Sequence, residues 1–354
     1  MDLSSLGWSA TRADHLAARY PGLLPGRISA QNRGAYRLLT ADGERVAVIG
    51  GKLRHAAVSP GELPAVGDWV AHAPADDRAV VHAVLPRTTA VVRKAAGSGV
   101  DEQLIAANVD VLFLVSGLDG DFNLRRIERY VTLAWDSGTQ PVILLNKADL
   151  RPDADDVVEE LRLTGWGIPV HPISSLAGDG LEPLRPYLAP GRTVAIVGSS
   201  GVGKSTLVNR LVGGELQRTG GVRAGDERGR HTTTARELIL LPGGGVLVDT
   251  PGMRELQLWP GGEGLDAAFA DVAELARDCR FGDCAHAGEP GCAVLAAVGV
   301  SLDAARLESY RKLLREQAFL ERKLDAGAHA AERERWKRLS ANAREHVKLK
   351  RRMT

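Results

Sequence analysis

The chain has 354 residues, enough for two or three domains of about 100–200 residues each. Its composition, 44% apolar and 25% charged, is ordinary for a globular protein, and its net charge of +1 excludes a basic field over the whole chain. There is no apolar run of about 18 residues and no secretory signal pattern at the start. We therefore expect a cytoplasmic protein without a membrane partner.

The first part of the chain predicts a short extension followed by a small β-barrel. Residues 1–21 favour a helical extension. Residues 22–95 alternate short apolar runs with Gly, Pro and Asp, and the predicted strands are 27–39, 45–49, 68–72, 79–85 and 89–93. Five such strands predict an OB-fold, which would be an RNA-binding domain. The alternative is another five-stranded barrel that binds no ligand.

Residues 96–258 change to the pattern of an α/β domain with a parallel sheet. Buried strands are predicted at 109–115, 141–145, 170–173, 193–197, 238–241 and 246–248. Helices are predicted at 124–134, 154–163 and 204–212. Strands that alternate with helices in this way are typical of parallel sheets covered by helices.

A phosphate-binding loop follows the predicted strand 193–197. The segment reads G-x-x-x-x-G-K-S, and its candidate nucleotide-binding residues are Gly198, Ser199, Ser200, Gly201, Val202, Gly203, Lys204, Ser205 and Thr206. Glycines let backbone N–H groups surround phosphates, and the N-terminus of the following helix attracts the anion. Lys204 is expected to reach the β- and γ-phosphates, and Ser205 to bind Mg²⁺. The alternative is a chance glycine-rich turn.

Two further segments predict recognition of guanine. Asn146, Lys147, Ala148 and Asp149 form an N-K-x-D segment after the strand 141–145. The Asp149 carboxylate can accept from both N1–H and the exocyclic amine of guanine, whereas adenine offers neither donor there. Ser174 and Ser175 follow the strand 170–173, where the Ser175 N–H is expected to point at the guanine O6. Taken alone, the serine pair is an ordinary polar turn.

A third group predicts phosphate hydrolysis. Asp249-Thr250-Pro251-Gly252 reads D-x-x-G at a strand end, which places Asp249 near Mg²⁺ and the Gly252 N–H near the γ-phosphate. Met253 stands where many GTPases carry a glutamine that orients water. We therefore expect Thr233 to close over Mg²⁺ and His231 to reach the attacking water, although a lone loop histidine is usually only solvated.

The order of these motifs is rotated. The base-recognition segments precede the phosphate loop, the reverse of the usual GTPase order. Such a circular permutation leaves the sheet unchanged, because domain termini often lie close together. In this order the D-x-x-G segment leads directly into the C-terminal part, so we expect movement there to act on the next domain.

The C-terminal part, residues 259–354, predicts a helical zinc-binding domain with a basic tail. All three cysteines fall in one window with a histidine, and the four candidate ligands are Cys279, Cys284, His286 and Cys292. Three thiolates and one imidazole fill a tetrahedron, which is typical of one structural Zn²⁺ ion. The alternatives are three buried free thiols here and, for the Arg- and Lys-rich stretch 333–352, a solvated helix rather than an RNA contact.

With these segments in this order, the chain resembles the ribosome small-subunit-dependent GTPase A family, also called RsgA, YjeQ or YloQ. The resemblance covers nearly the whole length and includes G-R-H-T-T-T from Gly229 and the cysteine window. It implies a circularly permuted GTPase that acts late in maturation of the small ribosomal subunit, contacts rRNA through the barrel and the zinc domain, and turns over faster on the subunit.

The oligomeric state, further partners and alternative functions are also open to expectation from the sequence. A monomer is expected, and other assembly factors are further candidate partners. Gly201 stands where potassium-activated GTPases carry an asparagine, so no K⁺ site is inferred. Two other classes remain open: a GTP-regulated RNA-binding or signalling switch that does not act on the ribosome, and a metabolic P-loop NTPase. The second requires extra catalytic residues for its substrate, which the sequence does not show.

Overall fold

A computed structural model describes residues 1–32, 35–94, 102–164, 166–214, 237–249 and 263–323. The predicted catalytic residues His231, Thr233 and Gly252 lie outside these ranges, as do Met253 and the basic tail. Within the described ranges, no helix combines the length and the apolar character that crossing a bilayer requires.

The N-terminal extension is helical, as predicted, and it packs against the rest of the molecule. It consists of a 3-10 turn, Ser4–Leu6, and helix α1, Ala10–Arg19, which is capped by Ser9. Buried Arg27 donates to the carbonyl of Leu6 and, at 3.2 Å each, to the carbonyls of Gly67 and Asn108. Burial lowers the pKa of this guanidinium to about 10. One arginine thus joins the extension, the barrel and the start of the next domain.

The barrel has the topology of an OB-fold. Its strands are β1 (Leu24–Asn32), β2 (Ala35–Thr40), β3 (Gly43–Ile49), β4 (Trp69–Ala75) and β5 (Arg78–Val84), with helix α2 (Gly51–Ala56) after β3. The strands pair in the order β1-β2-β3-β5-β4, and β4 returns to β1, which closes the barrel. The predicted OB-fold is confirmed.

Two predicted barrel strands differ from the structure. The run 27–39 divides into β1 and β2, because the apolar alternation continues through both strands of a hairpin and does not mark where the first strand ends. The run 89–93 lies in β6 (Ala90–Lys94), which pairs outside the barrel with β7 (Glu102–Ala107). Alternation shows that a segment is a strand but does not show which strand it pairs with.

The described residues of the central domain form six strands of a sheet that is covered by helices and continues into the barrel at β1. Its strands are β8 (Val111–Gly117), β9 (Gln140–Asn146), β10 (Val170–Ile173), β11 (Thr193–Gly198), β12 (Glu237–Leu240) and β13 (Val246–Asp249). The helices are α3 (Leu124–Asp136), α4 (Ala154–Arg162) and α5 (Lys204–Val212). The order is β10-β9-β8-β11-β13-β12, and all neighbours are parallel except β12 and β13.

The permutation is visible in this order. Strand β11, which leads into the phosphate loop, lies at the centre of the sheet beside β8, although three strands of the sheet precede it in the chain. The chain leaves β8 and β11 in opposite directions across the sheet. Such a point creates a crevice at the carboxyl ends of the strands, where ligands bind in open α/β sheets.

The C-terminal part is helical around the cysteine window. It contains α6 (Gly264–Ala268), α7 (Ala270–Ala276), α8 (Ala293–Ala297) and a longer helix, α9, over residues 304–323. Buried Phe269 packs against Tyr310 of α9 with their ring centroids 5.5 Å apart. The helical prediction holds for the described residues of this part.

Candidate functional site

The loop between β11 and α5 has the backbone shape of a phosphate cradle. Gly201 and Gly203 adopt the left-handed conformation, with φ of 76° and 98°. A Cβ atom on Gly203 would lie 2.2 Å from Nδ2 of Asn146, so glycine is required there for the loop to approach the β9 end. Lys204 opens α5, and its ammonium donates to the carbonyls of Gly198 at 2.7 Å and Ser199 at 2.5 Å. Cation and helix N-terminus therefore face one concave loop.

Asn146, the last residue of β9, joins three loops. Its Nδ2 donates to the carbonyl of Val202 in the phosphate loop at 2.7 Å. Its Oδ1 accepts from the backbone N–H and the hydroxyl of Ser175, both at 2.9 Å. All of these groups are buried, and a buried amide with its partners satisfied fixes its surroundings firmly. The phosphate loop and the two base-recognition segments are thus assembled into one site.

The remaining base-recognition residues lie just after Asn146. Lys147 is left-handed, with φ of 66°, and Ala148 and Asp149 belong to the 3-10 turn Ala148–Leu150. This turn leaves Asp149 exposed at the mouth of the site. The side chain of Lys147 is held by Asp119, with 2.5 Å between Nζ and Oδ2.

The serine turn differs from the expectation in one respect. The Ser175 N–H donates to Asn146, so it is not free to point at a guanine O6. Among the described residues the next N–H along the chain, that of Leu176, has no acceptor. The turn is fixed from the α5 side, because Arg210 donates to the carbonyls of Ser175 at 3.4 Å and Leu176 at 2.5 Å. Ser174 supports the turn by accepting from the Ala177 N–H at 3.1 Å.

Sequence reasoning missed two carboxylates in the loop between β8 and α3. Asp119 contacts Lys147, and Asp121 accepts from the Ser199 hydroxyl at 2.5 Å and from Arg126 at 2.6 Å. These donors hold the pKa of both carboxyl groups below the usual range. The available signal was a D-x-D pair that begins two residues after the end of a fully buried strand, at the edge of the sheet where the other site residues lie.

Of the predicted hydrolysis residues, only Asp249 falls within the described chain. It ends β13, which lies beside β11 in the sheet. Both strands run the same way, so Asp249 and the phosphate loop follow neighbouring strands at one edge of the sheet. His231, Thr233 and Gly252 lie outside the described residues.

The four candidate metal ligands converge at one point of the C-terminal part. Their donor atoms all lie within 4.8 Å of one another. The His286 Nδ1 lies 3.6 Å from the Cys279 sulfur and 3.4 Å from the Cys292 sulfur, and the two sulfurs are 3.8 Å apart. A tetrahedral ion with Zn–S distances of about 2.3 Å and Zn–N of about 2.0 Å needs ligand separations of roughly 3.5–3.8 Å. The donor set and its spacing fit zinc.

The turn that carries His286 is held by a neighbouring carboxylate. Glu289 accepts from the N–H groups of Ala285 at 3.1 Å, Ala287 at 2.6 Å and Gly288 at 3.1 Å. Backbone hydrogen bonds lower the pKa of Glu289 to about 2. His286 itself is left-handed, with φ of 55°, and buried. Glu289 thus stabilises a tight turn that aims the imidazole at the three sulfurs.

Comparison with known proteins agrees with this arrangement. A family model described as RsgA GTPase matches residues 84–259, from the end of the barrel through the D-x-x-G segment. A protein named small ribosomal subunit biogenesis GTPase RsgA, from Opitutus terrae, is 48% identical over 366 aligned residues, which cover 98% of this chain and 99% of the relative. The chain belongs to the RsgA GTPase family.

Other RsgA relatives and solved structures extend the match. An RsgA protein of the same name from Methanosarcina acetivorans is 46% identical, with 93% of this chain and 89% of that protein covered. The crystal structure of YjeQ from Thermotoga maritima matches with a TM-score of 0.63 and 27% identity, over 83% of this chain and 98% of that one. YloQ, described as a circularly permuted GTPase, matches with a TM-score of 0.60 and 25% identity, over 85% and 96%. The circularly permuted fold predicted from motif order is confirmed.

Proposed function

We propose that this chain hydrolyses GTP while bound to the small ribosomal subunit, late in the maturation of that subunit, and that the subunit accelerates turnover. The observation that carries the GTP part is the Asn146 junction, which joins the phosphate loop to both base-recognition segments. The ribosomal part rests on the relatives, which align with this chain over 99% and 89% of their length and are named small ribosomal subunit biogenesis GTPases. A ribosomal partner makes the cytoplasm the expected place of action, and a monomer remains the expected state.

The guanine nucleotide is assigned to the crevice beside Asn146. Asp149 would accept from the guanine N1–H and amine, and the Leu176 N–H would donate to O6, since the Ser175 N–H is already used. Residues 198–206 would surround the phosphates, with Lys204 on the β- and γ-phosphates. Ser205 and Asp249 would hold Mg²⁺, which neutralises charge on the phosphates during transfer.

The hydrolytic step is assigned to the segments around the γ-phosphate. Met253 cannot donate to water, so intrinsic hydrolysis should be slow. His231 is the proposed group that orients the water, Thr233 the residue that closes over Mg²⁺, and Gly252 the backbone donor near the γ-phosphate. A subunit that places His231 beside the attacking water would then raise the rate.

The barrel offers a basic surface for rRNA next to the N-terminal extension. Two adjoining cavities of about 530 and 350 Å³ share Tyr20 and Val84, and their polar lining is mostly basic or aromatic. It includes His15, Arg19, Tyr20, Lys52 and His82, with Glu62 as the one acidic lining residue. The hairpin ends at Asp42 and at Asp76-Asp77, in contrast, are acidic. Phosphates are attracted to cations and bases stack on aromatic rings, so the groove beside α1 is the proposed RNA contact of the barrel.

The C-terminal part is proposed to hold one structural Zn²⁺ on Cys279, Cys284, His286 and Cys292. Four protein ligands close the site, so the ion would have a folding role rather than a catalytic one. Arg280 lies over the ring of Phe281, 5.4 Å from its centroid, and Phe281 is 41% exposed. An exposed ring beside a cation is a suitable second contact for RNA.

The central test compares GTP turnover with and without purified small subunits. We expect strong stimulation by the subunit and none by the large subunit. His231→Ala should lower the stimulated rate by about 10²-fold with little change in GTP affinity. Stimulation by free RNA but not by subunits would favour the other candidate, a GTP-regulated RNA-binding switch. Absence of any stimulation would contradict the ribosomal role.

The base assignment has a separate test. Asp149→Asn should weaken the binding of guanine nucleotides and shift the preference toward xanthine nucleotides, whose C2 oxygen needs a hydrogen-bond donor such as the asparagine amide. Competition between GDP and the xanthine nucleotide for the site measures this directly. Equal affinity of the parent protein for ATP and GTP would overturn the guanine assignment.

A further inference from the structure

The loop that follows β8 contacts both halves of the nucleotide site. It carries Asp119 and Asp121, which are two residues apart, and Asp119 Oδ1 accepts from the Asp121 N–H at 3.2 Å. Asp119 contacts the base-recognition segment through Lys147, and Asp121 contacts the phosphate loop through Ser199. Neither carboxylate belongs to the motifs that identify the nucleotide site.

The Asp119 contact fixes a side chain that would otherwise be mobile. Lys147 is only 28% exposed and Asp119 31%, so their 2.5 Å ion pair is partly shielded from solvent. A free lysine side chain has several rotatable bonds, and ordering it on binding costs affinity. Here the ordering is done within the protein, before any ligand is present. The ion pair therefore sets the position of Lys147 at the entrance of the base pocket.

The Asp121 contact does the same for the phosphate loop. Ser199 is the second residue of that loop, and its hydroxyl donates to Asp121, which also binds Arg126 of α3 at 2.6 Å. Arg126 supplies the positive charge that keeps the carboxylate ionised close to an anion-binding loop. Without it, a bare carboxylate here would repel phosphate.

We propose that Asp119 and Asp121 are positioning residues of the nucleotide site, which hold its base segment and its phosphate loop in the binding geometry before the nucleotide arrives. This inference rests on the proposed guanine-nucleotide site. Both carboxylates act through other residues, Asp119 through Lys147 and Asp121 through Ser199. If only a fraction of the molecules has the site in its binding-competent conformation, the apparent affinity for the nucleotide is reduced by that fraction. Loss of either contact should therefore raise the dissociation constant.

The experiment measures GDP binding by the full chain with Asp119→Asn and Asp121→Asn. Each substitution keeps the shape of the side chain and removes its charge. Each should raise the dissociation constant for GDP by about tenfold. The matched control is Asp153→Asn. Asp153 also pairs with an arginine in this region, Arg151, at 2.9 and 3.0 Å, but contacts neither half of the site. The control variant Asp153→Asn should leave GDP affinity unchanged. The thermal unfolding temperatures of all three variants should stay close to that of the parent protein.

Two readouts separate positioning from a general loss of structure. Asp119→Asn should have little further effect once Lys147→Ala is present, because both remove one contact. In the Asp149→Asn background, Asp119→Asn should weaken binding of xanthine and guanine nucleotides by the same factor, since Asp119 positions the base segment without contacting the base. Two results would overturn the inference: additive effects of Asp119→Asn and Lys147→Ala on GDP affinity, or unchanged GDP affinity in both aspartate variants. If the parent protein itself bound no GDP, the proposed function would fail instead.

Discussion

The central domain is joined to its two neighbours by ion pairs of very different character. On the barrel side, β1 pairs with β12 at Ala30 and Glu237, and Arg37 reaches Glu237 at 2.7 Å. The side chains of Arg37 and Glu237 are 43% and 29% exposed. Water and salt screen such a pair, and pairs of this kind contribute about 0–1 kcal/mol.

On the C-terminal side a network of ions is centred on the buried carboxylate of Glu128. Glu128 of α3 is fully buried and accepts from Arg306 at 3.1 Å, Arg125 at 2.7 Å and the Ser309 hydroxyl at 2.5 Å. Arg306 also binds Asp271 at 2.5 and 2.6 Å and lies 4.6 Å from the centroid of Phe269. Such a network is weak evidence for net stability, but losing one partner leaves an uncompensated buried charge.

The difference bears on how the nucleotide could affect each neighbour. Strand β12 begins three residues after Thr234 in the proposed catalytic segment, and its first residue, Glu237, contacts the barrel. The D-x-x-G segment instead leads to Gly264, whose N–H donates to Asp136 of α3 at 2.8 Å. The expected movement of the D-x-x-G segment would thus reach the C-terminal part at Gly264, which is hydrogen-bonded to α3. On the barrel side the exposed Arg37–Glu237 pair can yield at low cost, whereas buried Arg27 keeps the barrel attached at the Asn108 carbonyl.

The largest expected effect concerns the cysteine window, whose flanking helices α7 and α9 provide Asp271 and Arg306 to the buried joint. We expect about one Zn²⁺ per chain in the parent protein and none in Cys284→Ser, because three ligands remain. The buried joint should then open locally, since metal binding and folding of such a site are coupled. Elemental analysis and proteolysis of the C-terminal part measure the two effects, and GDP affinity serves as the control. A parent protein without zinc would contradict the assignment.

The next effect tests the buried network directly. Arg306→Met leaves Glu128 with Arg125 as its remaining arginine and Asp271 without Arg306, and it should lower the free energy of unfolding by about 1–3 kcal/mol. Urea unfolding followed by tryptophan fluorescence measures this. The double variant Glu128→Met/Arg306→Met should recover part of the loss, because the buried carboxylate that has lost one of its two arginines is then removed as well. Equal loss in single and double variants would show that packing, not charge, carries the joint.

A smaller effect of opposite sign is expected at Asp136. Its Oδ2 is buried without a partner among the described residues, and burial raises the pKa of the carboxyl. A carboxyl with a raised folded pKa destabilises the fold when ionised, so this cost disappears as the pH falls through that pKa. Asp136→Asn should stabilise the protein by roughly 1 kcal/mol at neutral pH, and the gain should shrink on acidification. A gain that does not change with pH would exclude the charge as its cause.

The smallest effect is expected at the exposed joint. Arg37→Ala should change the free energy of unfolding by less than about 1 kcal/mol, and the change should decrease further in high salt. Unfolding at low and high ionic strength measures both. A loss as large as that of Arg306→Met would remove the contrast between the two joints.

The sequence predicted much of the central domain, because its signals are local. Helix α5 and strand β10 lie at the predicted bounds, β9 extends one residue beyond the prediction at each end, and β11 extends one residue beyond it at its C-terminal end. Glycine spacing, a lysine at a helix start and four ligands in one window each define chemistry within a short segment. The domain boundaries and the catalytic roles of His231 and Thr233 remain predictions.

Contacts between distant segments were decided only by the tertiary structure. Asp119 and Lys147 are 28 residues apart, Asp121 and Ser199 are 78 apart, and Glu128 and Arg306 are 178 apart. The same holds for the Ser175 N–H, which was expected at the guanine O6 but is taken by Asn146 from another strand. Residue types and periodicity determine which groups are available and which elements form. The partner of each group depends on how those elements pack, since hydrogen bonds and ion pairs act only over a few ångströms.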